Sequence, residues 1–205
     1  MDFDSGTKLD KYVSKEVLSW LSYPPPRIIP NQVHTIVDIG ACTGAAAHFF
    51  NILWPSATIH CYEPNPACWE LLSQNAPFAH IHRMGLGRER RVMSMKHDPQ
   101  GLCLSRFDEE GDEPCYIESA PVAFRDNHPE PDVIKMDVEG MEEDVISSAY
   151  GYFRKAKLLY IEAHSWEYAN TLIKWCQDAD FVPFSVYSLF WPAFELAFIK
   201  RGLIP

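Results

Sequence analysis

The sequence has no CxxC pair, no cysteine–histidine group at zinc-site spacing and no apolar run approaching the roughly 18 residues of a membrane span. A zinc module and a membrane-spanning protein are therefore not expected. Positive charge is scarce: 18 Lys and Arg stand against 28 Asp and Glu, a net charge of −10. Such a chain repels phosphate backbones and anionic headgroups unless it carries a local basic patch, and the only candidate, Arg83 to Arg91, is short. Neither nucleic acid nor membrane is expected as a partner. The six cysteines (Cys42, Cys61, Cys68, Cys103, Cys115 and Cys176) are scattered and read as reduced, buried thiols. The first residues, MDFDSGTKLDKYV, are too polar for a secretory leader, so the expected location is cytoplasmic. Repeats and low-complexity tracts are also missing.

What remains is ordinary globular composition: 205 residues, 47% hydrophobic, 22% charged and 13% aromatic. At this length a single core buries about 70% of the unfolded chain's surface without a staple. Residues 1–34 read as an appendage. Thr7 caps a helix whose apolar residues (Leu9, Tyr12, Val13, Val17, Trp20, Leu21) keep helical spacing, and Pro24-Pro25-Pro26 end it in an extended connector. From residue 35 to 205 a single domain is expected, in which short β-rich runs alternate with helical patterns. The runs are Thr35–Ile39, Thr58–Tyr62, Ile81–Met84, Val133–Val138 and Leu158–Ala163; the helical patterns are Ala45–Leu53, Pro66–Gln74, Met141–Ala149 and Trp166–Gln177. That alternation predicts a parallel sheet with helices on both faces. Phe181–Tyr187 and Glu195–Lys200, separated by only seven residues, predict a closing antiparallel hairpin. Residues 88–131 form an irregular insertion on the substrate side, with short strands expected at Val92–Lys96 and Tyr116–Phe124.

The stretch Val37-Asp38-Ile39-Gly40-Ala41-Cys42-Thr43-Gly44 lies at a strand-to-helix junction. Glycines there let the backbone turn tightly and let a ligand press against main-chain N–H groups at a helix start. Glu63 ends the next strand, where its two oxygens can accept both hydroxyls of a ribose, so an adenosine-type ligand is expected. The spacing DxGxxxG departs from the GxGxxG of dinucleotide loops. It matches the acid-x-Gly-x-Gly-x-Gly loop of S-adenosylmethionine binders, with Cys42 in place of the middle glycine. A second group lies in Asp132-Val133-Ile134-Lys135-Met136-Asp137-Val138-Glu139-Gly140, and the next strand ends in Ile161-Glu162-Ala163-His164. Ligands in open α/β sheets sit beyond the carboxyl ends of the strands, so Asp137, Glu139 and His164 converge on the place where Asp38 and Glu63 lie. Each also has a structural reading: Lys135 and Glu162 as an ion pair, Glu139 as a helix cap, His164 as a hydrogen-bonded strand terminus.

Three blocks, VDIGACTG, CYEPNP and VIKMDVEGMEEDVISSA, occur in this order, and with them the chain resembles the FkbM-type S-adenosylmethionine-dependent methyltransferases. The resemblance implies an α/β, Rossmann-like class I methyltransferase fold, a seven-stranded, mostly parallel sheet with an antiparallel last strand. It implies S-adenosylmethionine as cofactor, S-adenosylhomocysteine as product, and methylation of a hydroxyl on a small molecule such as a polyketide or a sugar. Carried over residue by residue, Asp38, Gly40, Ala41, Cys42 and Gly44 shape the cofactor loop, Glu63, Pro64 and Asn65 hold the ribose end, and Asp137 lies on the site floor.

An alcohol is a poor nucleophile at neutral pH, so a base within hydrogen-bond reach speeds transfer by about 10²–10⁴-fold. His164 is the preferred base, oriented by Asp137, with Glu139 beside them. The same residues are placed to hold a divalent metal, but no ligand-spacing motif asks for one and none is assigned. The C-terminal aromatics Phe181, Phe184, Tyr187, Phe190, Trp191 and Phe194 read mainly as core and hairpin packing, with an apolar acceptor pocket as the alternative. A non-catalytic cofactor-binding module and a nicotinamide-dependent oxidoreductase stay open beside the enzyme reading, as do monomer and homodimer.

Overall fold

The computed structural model describes residues 23–26, 33–99, 101–102, 105–127, 130–187 and 193–204. The helix expected between residues 7 and 21 lies outside them, as do Cys103, Phe190 and Trp191. The described residues hold eleven strands and five α-helices: β1 (Thr35–Ile39), α1 (Ala45–Leu53), β2 (Thr58–Tyr62), α2 (Trp69–Asn75), β3 (His80–His82), β4 (Gly85–Gly87), β5 (Arg91–Lys96), β6 (Arg106–Phe107), β7 (Glu113–Ser119), α3 (Ala120–Asn127), β8 (Val133–Met136), α4 (Glu142–Phe153), β9 (Leu158–Ala163), α5 (Trp166–Asp178), β10 (Phe181–Tyr187) and β11 (Phe194–Lys200).

The main sheet has seven strands in the order β10-β11-β9-β8-β1-β2-β3. All its pairings are parallel except those of β11, which runs antiparallel to both β9 and β10, so the expected closing hairpin forms. Strands β1 and β8 are largely apolar runs in which Asp38 and Lys135 are the buried charges, because both faces of the sheet are covered. One face packs Val37, Ile39, Tyr62, Ile134 and Met136 against α3, α4 and α5, with Phe124 and Phe153 fully buried. The other packs Ile36, Ile59, Cys61 and Val133 against α1 and α2, and Tyr23 joins this core beside Phe49, Phe50 and Tyr160.

From β1 the chain proceeds one way to β2 and β3 and the other way to β8 and β9, so the strand order reverses between β1 and β8. A crevice opens at the carboxyl ends of these two strands. Local chemistry fixes the boundaries around it. Gly44, at φ 88°, starts α1, and Asn65 accepts from the Ala67 N–H to cap a short 3₁₀ turn with Pro66 at its first position. Ser165 caps α5 by accepting from the Tyr168 N–H at 3.1 Å.

Residues 88–131 are more ordered than their composition suggests. They contribute three strands to a second sheet, β4-β7-β5-β6, and the helix α3. The strand expected over Tyr116–Phe124 stops at Ser119: Pro121 has no N–H for a ladder and its fixed φ suits a first helical turn, so Phe124 belongs to α3. The strand expected over Ile81–Met84 forms as β3, and a further strand not expected from the sequence, β4, follows it in the second sheet. A Cβ at Gly85 would come within 2.7 Å of Ile117 Cδ1 on β7, so a larger residue there would require that side chain to shift.

Candidate active site

An open pocket lies over the crevice between β1 and β8. Its wall includes Gly40, Ala41, Cys42, Glu63, Pro64, Asn65, Asp137 and Glu139, all expected from the sequence. Leu102, Ser105, Arg106 and Phe107 of the insertion close one side, and Tyr23 reaches in from the N-terminal segment. Asp38, Gly44 and His164 stand behind this wall.

Two glycine-dependent contacts shape the loop. Gly40 has φ 80°, and a Cβ on it would fall 1.8 Å from the carbonyl oxygen of Asp137, so the turn after β1 lies directly on the end of β8. Gly40 and Ala41 donate their N–H groups to the Tyr62 carbonyl at 2.9 and 3.1 Å. Cys42 has φ 45° and is disulfide-bonded, which corrects the reading of six reduced thiols; Cys61, Cys68, Cys115 and Cys176 are not in disulfides.

Glu63 is 5% exposed. Its Oε2 accepts from the Cys42 N–H and its Oε1 from the Asn65 N–H, both at 2.7 Å, so each oxygen keeps capacity for one further donor. Burial raises its pKa to about 7 in spite of these bonds and the charge of Lys135. The Asn65 side-chain nitrogen is buried on the cavity wall without a hydrogen-bond partner.

Beneath the loop, Asp38 and Lys135 are opposed in register across β1 and β8. The lysine Nζ lies 3.3 Å from Asp38 Oδ1 and 3.9 Å from Asp137 Oδ2, and it donates to the Gly40 carbonyl at 2.6 Å. Burial pushes the Asp38 carboxyl up, against the pull of Lys135, whereas the lysine is raised because its acidic neighbours outweigh its own burial. Lys135 therefore pairs with Asp38, not with Glu162 as the sequence suggests. In the register of β8 and β9 Lys135 faces Tyr160, which leaves Glu162 two residues further along the sheet.

Glu139 occupies the left-handed region at φ 53° in the turn after β8, a conformation costly for a residue with a Cβ and typical of functional sites. Its Oε2 lies 3.2 Å from His164 Nε2. Asp137 Oδ1 and Glu162 Oε1 approach the same nitrogen at 4.0 and 3.9 Å. On the other side of the ring, Nδ1 lies 3.1 Å from Oε1 of Glu142, off the line of a straight N–H···O bond. Glu142 is 2% exposed, and the same oxygen accepts from the N–H groups of Val138 and Gly140. Burial would lower the His164 pKa, but Glu139, Glu142 and Asp137 together raise it to about 11. Burial and the neighbouring charges of Asp137 and Glu195 raise the Glu162 carboxyl.

Lys135 and Glu162, which in the sequence have a structural reading, thus join the site together with Glu142. The folding of Glu142 back onto His164 has no sequence signature. The Asp38–Lys135 pairing is legible in principle, since both residues interrupt adjacent buried strands at equivalent positions. Among the C-terminal aromatics, Phe181 is buried in one core, Phe184 meets Tyr160 edge-on, and the Phe194 and Trp166 rings lie 5.4 Å apart at a tilt. Of the four arginines of the basic patch, Arg88 and Arg91 are engaged by Asp144, Arg90 by Glu118, and Arg83 lies over the Trp69 ring.

A sheet of this order with a glycine loop and an acid beyond β1 and β2 defines a Rossmann-like class I methyltransferase. Solved structures with this fold include the precorrin-6y C5,15-methyltransferase of Geobacter metallireducens, 16% identical over 97% of this chain and 94% of that one, with a TM-score of 0.56. They also include the ribosomal protein L11 methylase of Lactobacillus delbrueckii, 9% identical over 96% and 80% with a TM-score of 0.54. A third is a proposed tRNA (m1A22) methyltransferase of Streptococcus pneumoniae in complex with S-adenosyl-L-methionine, 12% identical over 92% and 72% with a TM-score of 0.51. A search of curated proteins gives no match. The model of the methyltransferase FkbM domain matches residues 38–183, and the chain belongs to that family. It is an S-adenosylmethionine-dependent methyltransferase.

The residues present fit that cofactor. The spare acceptor capacity of Glu63, the unpartnered Asn65 Nδ2 and a glycine turn without a Cβ all meet at one wall of the cavity.

Proposed function

We propose that the protein methylates a hydroxyl oxygen of a small molecule. The observation that carries this reading is Glu139, a carboxylate in a strained turn, on the cavity wall and backed by His164. Bound S-adenosylmethionine supplies a methyl group activated by a sulfonium charge. Glu63 accepts the ribose hydroxyls, and Asn65 offers a donor beside them. Gly40, Ala41, Cys42 and Gly44 form the turn around the cofactor, and Asp38 with Lys135 fixes that turn from beneath.

The three expected catalytic residues keep a place but exchange roles. An imidazole among four carboxylates is held protonated and is a poor base, so Glu139 receives the proton of the acceptor hydroxyl. Its own pKa is raised by burial, which makes it a better proton acceptor than an exposed carboxylate. His164 and Asp137 are positioning residues that hold it. The acidic surface and the ion-paired arginines favour a small acceptor over nucleic acid. The division into an appendage of residues 1–34 and a domain of residues 35–205 is part of this reading.

The test begins with calorimetric titration by S-adenosylmethionine and S-adenosylhomocysteine, with NAD as control, and continues with an acceptor screen that reads S-adenosylhomocysteine release. Glu139→Gln is expected to keep cofactor affinity and to slow turnover by about 10²–10⁴-fold. Unchanged turnover removes the base assignment. Binding of NAD in place of the two expected ligands removes the cofactor assignment.

A further inference from the structure

One atom of each of Asp137, Glu162 and His164 lies within 4.8 Å of the others, at the adjoining carboxyl ends of β8 and β9. Two features mark this as more than a patch of acid. First, Asp137 Oδ1 is shielded from solvent and has no hydrogen-bond partner, although burying an unsatisfied carboxylate oxygen is costly. Second, the imidazole is held from behind. Glu142, 2% exposed and itself fixed by the N–H groups of Val138 and Gly140, lies 3.1 Å from Nδ1 and places a carboxylate behind the ring. A cation that displaces the proton on Nε2 meets Asp137, Glu162 and Glu139 there, at 4.0, 3.9 and 3.2 Å from that nitrogen. Carboxylate, histidine and an open point facing further carboxylates is the arrangement by which proteins orient a metal-bound imidazole.

We propose that Asp137, Glu162 and His164 bind one divalent cation of the Mg²⁺ or Mn²⁺ class beside the cofactor cavity. Two carboxylates and one imidazole suit a hard to borderline ion, and the lack of a thiolate among the three disfavours a soft one. Asp137 belongs to both the cavity wall and the cation site, so the ion has an open side toward the acceptor. The role of the ion, though not its binding, rests on the methyl-transfer reading. By withdrawing charge from the acceptor oxygen it favours loss of the hydroxyl proton, which passes to Glu139. The oxygen lone pair then forms the new C–O bond as the electrons of the C–S bond return to sulfur.

The experiment is a titration of the full chain with Mn²⁺, read by electron paramagnetic resonance, with and without S-adenosylhomocysteine. One Mn²⁺ per chain is expected, with affinity at least about tenfold weaker in Glu162→Gln and in Asp137→Asn. Glu142→Gln, which touches only the far side of the ring, is expected to weaken binding by about 10–100-fold. Thermal melts and S-adenosylhomocysteine calorimetry of each variant verify that it is folded; Glu162→Gln decides the matter if Asp137→Asn is not. Absence of stoichiometric Mn²⁺ from the wild type overturns the proposal. So does equal affinity in wild type and Glu162→Gln, which indicates adventitious binding to surface acids such as those from Asp108 to Asp112. Stoichiometric Mn²⁺ without any S-adenosylhomocysteine binding upholds the cation site and overturns the methyl-transfer reading instead.

Discussion

At the scale of single residues, the site depends on charges held out of water. Glu63 is the clearest case, because burial has brought its pKa to about 7, into the physiological range. In the proposed role only the ionised form of Glu63 would accept both ribose hydroxyls at full strength, so cofactor affinity is expected to fall as the pH drops below about 7, by up to about tenfold per unit. Stability responds in the opposite sense. Between about 4.5 and about 7 the folded state binds more protons at Glu63 than the unfolded chain does, so acidification through that window relieves the burial cost. Calorimetry with S-adenosylhomocysteine from about pH 5.5 to 8, a span that brackets the Glu63 transition, checks the binding effect. Glu63→Gln should flatten the profile, and a wild-type affinity independent of pH removes Glu63 from the ribose.

At the scale of elements, β1 and β8 are joined by a buried ion pair that also holds the glycine turn. Lys135, its side chain 5% exposed, is the cation set between Asp38 and Asp137. Lys135→Met leaves the Asp38 carboxylate buried and uncompensated and removes the donor to the Gly40 carbonyl. Loss of one partner of a buried pair costs about 3–5 kcal/mol. Urea unfolding should record this loss, together with weaker S-adenosylhomocysteine binding. Unchanged stability means that the sheet, not the ion pair, holds the turn. At the same scale, the chain leaves the main sheet after β3, and β4 pairs in parallel with β7 in the second sheet.

At the scale of the molecule, two apolar cores sandwich the main sheet, and the second sheet with α3 is fastened to one of them. Phe124 is the main anchor: it is fully buried, 5.2 Å from the Tyr152 ring and 5.8 Å from that of Phe153. Phe124→Ala is expected to cost about 3–5 kcal/mol of stability. If α3 also holds the insertion over the cavity, cofactor affinity falls in the same variant; thermal melts and calorimetry measure the two. A loss below about 1 kcal/mol, far under the usual cost of emptying a buried phenyl site, would mean that α3 is only loosely joined to the core.

Much of this architecture is legible in the sequence alone. The alternation of β-rich and helical runs, the glycine turn and the acid at the end of β2 are local signals, because strand and helix periodicity and the need for positive φ are properties of a few adjacent residues. They are enough to place Asp38, Gly40, Glu63 and Asp137 at one edge of a sheet with an antiparallel last strand. The β7–α3 boundary is hidden because a β-rich pattern continues past Pro121, and a proline ends a strand or opens a helix according to the packing of the residues beyond it. Pairings between distant residues are decided only by the tertiary structure. Lys135 chooses Asp38 over Glu162 through strand register, and Glu142 turns from a helix-end charge into a buried support for His164. The acid–imidazole group beside the cavity exists because β8 and β9 lie side by side in parallel, a juxtaposition that no short stretch of sequence encodes.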